Sequence, residues 1–292
     1  MEIRVLQYFL AVAREQSISG AAEFLHLSQP TLSRQLKDLE EELGKQLFIR
    51  GNRKITLTED GMLLRKRAEE IVELVKKTEN EITLSNEIIT GDIHIGTGET
   101  DAVRLIAKTA NKITANNPQI RFQIISDDRA DVLERLDKGL FDFGVLIGSV
   151  DTTKYNSFTF PVHDTWGILM RRDSPLAKKQ NVCPEDLWDK PLLISRQTSN
   201  YTILSNWLKK DIESLNIVAT YNLIYNASLM VDEGAGYAFC LDKLINTTGQ
   251  SNLCFRPFEP MLKSEINMIW KKYQIFSKAS ALFLNRMITE WG

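Results

Sequence analysis

The chain has 292 residues, 43% of them hydrophobic and 25% charged, with a formal net charge of −2. That length accommodates two domains, and the near-neutral balance excludes a protein that coats nucleic acid indiscriminately. No apolar run approaches the ~20 residues that span a bilayer, and the opening MEIRVLQYFLAVAREQ has no signal-peptide pattern, so a cytoplasmic protein without membrane association is expected.

Residues 3–15 place Leu6, Phe9, Leu10 and Ala13 on one face, which predicts a helix. Residues 17–43 then read as a short helix, a tight turn and a longer helix. Ser28 is a natural N-cap, and Pro30 is tolerated in the first turn because amides there lack intrahelical partners. Leu32, Leu36, Leu39 and Leu43 form one stripe, opposite a donor-rich start with Ser28, Gln29, Pro30, Thr31, Ser33, Arg34 and Lys37. The acids of this helix, Asp38, Glu40, Glu41 and Glu42, all fall in its second half. An anionic duplex would accept the first half and be repelled by the second. This is the pattern of a helix-turn-helix whose second helix enters the major groove of double-stranded DNA. After Gly44, residues 46–50 and 54–57 predict a hairpin around Gly51, Asn52 and Arg53. Residues 45–54 contain Lys45, Arg50, Arg53 and Lys54 and no acid, so this wing offers Arg50 and Arg53 to phosphates or the minor groove.

From residue 58 the pattern predicts one long helix to about residue 90, ~45–50 Å at 1.5 Å per residue. Leu64, Ala68, Ile71, Val75, Thr78, Ile82, Ser85 and Ile89 make a heptad-like seam. A stripe this long is expected to be buried against a second copy, which would pair two DNA-reading heads. Beyond Gly91, strands and helices alternate in βαβ fashion: strands at 92–96, 120–125 and 143–147 with helices at 101–116 and 131–138. A second set has strands at 165–170, 192–194, 217–223 and 237–241 and helices at 200–210 and 228–233. A strand at 266–270 and a helix at 278–291 close the chain. Two α/β lobes joined by crossing strands leave a cleft suited to a small ligand.

The chemistry of an enzyme is missing. Gly96-Thr97-Gly98-Glu99-Thr100-Asp101 starts like a dinucleotide fingerprint, but Asp101 stands where the third glycine belongs and would face a pyrophosphate. His26, His94 and His163 are scattered, and Cys183, Cys240 and Cys254 form no C-x-x-C, so neither metal nor cofactor is expected. The cleft candidates lie at loop-to-helix junctions: Glu99 and Thr100, Asp127 and Asp128, Ser195, Arg196, Thr198 and Ser199, and Asn226. The competing reading is a small-molecule-binding module whose N-terminal helices only mediate protein contacts. The acid-free wing and the donor-rich helix start argue against it.

Phe9-x-x-Val12-Ala13, Ala21-Ala22-x-x-Leu25, Ser28-Gln29-Pro30-x-Leu32-Ser33, Leu39-Glu40-x-x-Leu43-Gly44, Leu47-Phe48-x-Arg50 and Leu57-Thr58-x-x-Gly61 together resemble the LysR-type transcriptional regulators. Looser matches follow at Asn117-Pro118, Leu136-x-x-Gly139-x-x-Asp142, Leu187-x-x-x-Pro191-Leu192 and Val231-x-x-Gly234-x-Gly236. The resemblance implies an α/β protein with an all-α winged helix-turn-helix at residues 1–58 and a dimerising linker helix at 59–90. It further implies a two-lobed, periplasmic-binding-protein-like effector domain at 91–292, with lobe I at 91–161 and 265–292 and lobe II at 162–264. It also implies a homodimer through the linker, assembled into a homotetramer, and a small-molecule effector in contact with Thr100. Ala130 departs from the small hydroxyl residue usual in relatives. With Glu99, Asp127 and Asp128 nearby, it argues against a simple carboxylate inducer.

Overall fold

The computed structural model describes residues 1–51, 54–83, 89–196 and 202–292, which fall into two units, Met1–Leu84 and Ser85–Gly292. In the first, the Ser17 hydroxyl accepts the Gly20 amide and opens α2 (Ile18–Phe24), which follows α1 (Ile3–Glu15). Ser28 does the same for α3 (Gln29–Leu43), accepting the Thr31 N–H at 3.3 Å. Leu32, Leu36 and Leu39 are buried against Phe9, Val12, Ala21 and Ala22. Leu43, expected on the same stripe, lies past the edge of this core and is 40% exposed.

The wing is a two-stranded antiparallel hairpin of β1 (Phe48–Arg50) and β2 (Ile55–Leu57), with Phe48 opposite Leu57. Gly51 N–H donates to the Lys54 carbonyl across its turn, and Asn52 and Arg53 lie outside the described residues. One α3 acid holds the wing in place: Glu40 Oε1 accepts the Leu47 amide at 2.7 Å and the Phe48 amide at 3.2 Å. Charge-assisted bonds to backbone amides are roughly twice as strong as neutral ones, so Glu40 supports the fold besides adding charge. Thr58 donates to the Gln46 carbonyl and accepts from Gly61 N–H, and so caps α4 (Glu59–Thr83).

The seam expected along α4 is divided in two. Ala68 is buried, and Leu64 and Ile71 pack beside it on the α1 side of the core, so this part is covered by its own chain. Further along, Leu74, Val75, Thr78, Glu79 and Ile82 line an open, mostly apolar groove, with Ile82 78% exposed. Ser85 lies outside the described residues, and Ile89 packs into the core of the second unit instead of extending the seam.

The second unit is built on nine paired strands in two halves, eight along one path and β10 beside β6. In the first half, β3 (Gly91–Thr97) is flanked in parallel by β4 (Ile120–Ser126) and β5 (Phe143–Ile147). In the second, β7 (Leu192–Ser195) lies parallel to β8 (Ile217–Tyr221) and β9 (Tyr237–Leu241). A 17-residue strand, β6 (Tyr155–Arg171), joins the halves: its start pairs with β11 (Lys263–Lys271), and its end pairs with β9 and with β10 (Leu253–Pro257). Sequence patterning predicts a strand only over residues 165–170 of β6 and none at β10. Pro161 has no amide to donate, and the β6–β11 register shifts beside it, between Glu265 and Asn267, so the strand bends without ending.

Helices α5 (Val103–Asn116), α6 (Arg129–Asp137) and α9 (Lys278–Trp291) cover the first half, and α7 (Thr202–Leu208) and α8 (Ile224–Asp232) the second. The first core gathers Ile95, Ile106, Phe143, Phe160, Met268 and Phe283, and the second Ile168, Leu192, Trp207, Phe239 and Phe258. The expected helix at 228–233 begins four residues earlier, at Ile224, which puts Asn226 inside its first turn and not at a loop junction. No helix among the described residues is long and apolar enough to cross a membrane.

Candidate functional site

Two surfaces carry the chemistry. On α3, Ser28 Oγ lies 2.7 Å from Thr31 Oγ1, and Ser19 Oγ donates to Gln29 Oε1 at 3.2 Å, so the first turn is orientated by its own hydroxyls. Pro30 is exposed and Ser33 half-buried. The Arg34 side chain is 83% exposed, with its nearest acid, Asp38, a loose 4.0 Å away. Lys37 pairs with Glu41 at 3.1 Å and is 69% exposed. Such surface pairs contribute at most about 1 kcal/mol, so both cations are readily re-engaged by phosphates. Arg50 closes β1, Arg53 lies outside the described residues, and Lys45 pairs with Asp60 at 3.4 Å.

In the second unit, the C-terminal ends of the parallel strands of both halves converge on one cleft, the place where open α/β sheets bind ligands. The loop after β3 brings Glu99 and the end of β5 brings Ile147. Ser195 from β7, Tyr221 at the end of β8 and Asn222 after it, Cys240 and Leu241 from β9, and Trp166 from β6 complete the wall with Ile224 and Leu244. The open cavity they line measures about 70 Å³.

Two polar contacts join the two sides of the cleft. Leu223, the residue before α8, has no side chain able to cap the helix; Glu99 reaches over from the first half, and its Oε2 accepts the Ile224 N–H at 2.5 Å. Burial raises the Glu99 pKa, and this amide partly offsets the shift. Asp128, which caps α6 by accepting from Ala130 and Asp131, also meets Arg196 at 3.6 Å. The Tyr221 hydroxyl donates to the Phe239 carbonyl, so the ring is what Tyr221 offers the cavity.

Of the residues picked from sequence, Glu99 and Ser195 line this cavity. Thr100 is buried and accepts the Ala102 amide; Asp127 and Asp128 belong to the start of α6; Arg196 stands at the rim, 61% exposed; Asn226 is exposed on α8. Thr198 and Ser199 lie outside the described residues. Missing from the sequence candidates were Ile147, Trp166, Tyr221, Leu241 and Leu244, apolar or aromatic side chains that read as core in a linear sequence. Their one available signal was position, at or next to the ends of predicted strands.

Residues 3–62 match the bacterial regulatory helix-turn-helix proteins of the lysR family, and residues 87–292 match the LysR substrate binding domain. The uncharacterized HTH-type transcriptional regulator YwbI of Bacillus subtilis is 27% identical over 287 residues, 97% of this chain and 95% of its own length. A hydrogen peroxide-inducible genes activator of Pectobacterium carotovorum is 29% identical over 195 residues, 66% of this chain and 64% of its own. In fold, the chain is similar to CbnR, a LysR family transcriptional regulator, with a TM-score of 0.77 at 18% identity and 100% of both chains covered. CbnR is also known as a full-length structure in complex with its target DNA. The chain therefore belongs to the LysR family of transcriptional regulators, with a helix-turn-helix that binds DNA and a two-lobed α/β domain that binds an effector.

Proposed function

We propose that residues 1–58 read the operator through Ser28, Gln29, Pro30, Thr31, Ser33, Arg34 and Lys37, with Arg50 and Arg53 of the wing on the flanking backbone. Residues 59–90 pair two such heads, and residues 91–292 hold the effector in the cleft, as lobe I (91–161 and 265–292) and lobe II (162–264). The protein then acts in the cytoplasm, where the DNA is, as a dimer or a tetramer built from dimers. The observation that carries this reading is the exposed donor cluster at the start of α3, held by its own hydroxyls and free of acids until Asp38. The open groove around Ile82 supports pairing through α4, because an exposed apolar stripe on a long helix is stabilised by a second copy.

The test is a titration of the dimer against a DNA fragment selected from a random library, repeated across salt concentrations. Arg34→Ala is expected to weaken binding roughly tenfold and to flatten the salt slope by about one, with the melting temperature unchanged. Affinity within twofold of the parent would remove Arg34 from the interface. Ile82→Glu is expected to raise the dimer dissociation constant at least tenfold in sedimentation equilibrium. An unchanged constant would place the dimer contact elsewhere.

Inside the cleft, a small molecule is favoured over a peroxide signal such as the name of one relative suggests. Thiol oxidation proceeds through the thiolate. Cys240 is the cysteine that lines the cleft, and burial pushes its thiol far up, which disfavours the thiolate there.

A further inference from the structure

The cleft has a charge and a size, and together they specify a class of ligand beyond "small molecule". Among the described residues lining it, Glu99 is the single carboxyl group, and no Lys, Arg or His stands with it. Its Oε2 is taken by the Ile224 amide, but no donor among the described residues reaches Oε1. The rest of the wall is mostly apolar, with the Trp166 and Tyr221 rings and Leu244 among its members and Ser195 and Asn222 as polar neighbours.

An anionic ligand would have to shed its water beside a half-buried carboxylate, and it would find the amide end of α8 already occupied by Glu99. A cation meets the opposite situation: a carboxyl group with a spare oxygen, and two aromatic rings in the wall, a ring type whose face attracts positive charge. Size narrows the class further. An enclosed apolar cavity of ~150 Å³ takes benzene; this open cleft holds about 70 Å³, so the part of the ligand seated in it is small. We infer that the effector pocket takes a small primary ammonium compound, with its charge on Glu99 Oε1 and a compact aliphatic body of roughly three to five carbons against Trp166 and Tyr221. This rests on the reading of the cleft as the effector site.

The test uses the full chain and three probes of one shape: isobutylamine, isobutanol and isobutyrate, titrated calorimetrically at matched ionic strength and pH 7.5. Isobutylamine is expected to bind at least tenfold more tightly than isobutanol, and isobutyrate more weakly than either. Glu99→Gln keeps a carbonyl for the Ile224 amide and is expected to erase the preference for the amine while leaving isobutanol unchanged. Should that variant not fold, the ranking of the three probes on the parent protein decides the matter alone. Leu244→Trp, which fills the cavity, should abolish binding of all three. If isobutanol or isobutyrate binds as tightly as the amine, and Leu244→Trp abolishes that binding, the cation is refuted while the cleft stands as the effector site. If none of the probes binds, or binding is indifferent to both substitutions, the cleft reading falls as well.

Discussion

Asp164→Asn is expected to make the effector unit more stable at pH 8 and to leave it nearly unchanged at pH 4. Asp164 sits on β6 where that strand crosses between the sheet halves, opposite Ser264 of β11. It is 2% exposed, and its Oδ2 has no hydrogen-bond partner. Burial pushes its pKa up to about 6; the Thr100 hydroxyl pulls it down, the Asp242 and Asp101 charges push it up, and Lys243 lowers it. A carboxyl whose folded pKa exceeds its unfolded value, near 3.9, contributes stability that is complete below the unfolded pKa and is lost as pH rises through the folded one. The window is therefore pH 4 to 7, and the loss approaches about 3 kcal/mol from a shift of this size. Asparagine has no proton to lose, so urea denaturation of both proteins from pH 4 to 8 should show the gap opening across that window. Glu99 shifts in the same direction but is present in both proteins and cancels in the comparison. A gap that does not change with pH would rule out Asp164 as its source.

Gly61→Ala is expected to destabilise the DNA-binding unit, although alanine is the better helix former. At this position in the first turn of α4, a Cβ would collide with the Leu47 carbonyl oxygen and crowd the Leu57 side chain. Helix propensity favours alanine by about 1 kcal/mol. Overpacking against backbone costs about 1–3 kcal/mol and occasionally more, and displacing the helix end also strains the Gly61–Thr58 cap. The clash wins, with a net loss of about 1–2 kcal/mol. Because Leu47 leads into β1, the wing should shift too, and DNA affinity should fall along with stability. Met62→Ala, next in sequence but 57% exposed, should stay within about 0.5 kcal/mol of the parent. Equal effects from the two substitutions would contradict the role of close approach.

Glycines of this kind show how far a motif can be read. Gly96 and Gly98 look like part of a phosphate loop, yet at Gly96 a Cβ would collide with the Phe141 ring, so packing of β3 explains that glycine without any nucleotide. The acids of α3 likewise have two roles. Their placement in the second half predicts repulsion of an anionic duplex there, and Glu40 also ties down the Leu47 and Phe48 amides.

What the sequence determined by itself is local in origin. Ser28 before Pro30, the leucine spacing of α3, the turn at Gly51 and the alternation of strands and helices each act within a few residues, and they were enough for the winged helix-turn-helix and the two-lobed α/β domain. Tertiary structure alone decided the rest. Where α8 begins depends on Glu99, 125 positions away in the chain, because Leu223 cannot cap the helix. Which stretch of the α4 stripe is covered depends on α1, and which aromatics face a cavity depends on how β6 bends past Pro161. Periodicity shows that a side chain is apolar and on one face; only the packed chain determines whether that face meets core, cavity or another copy.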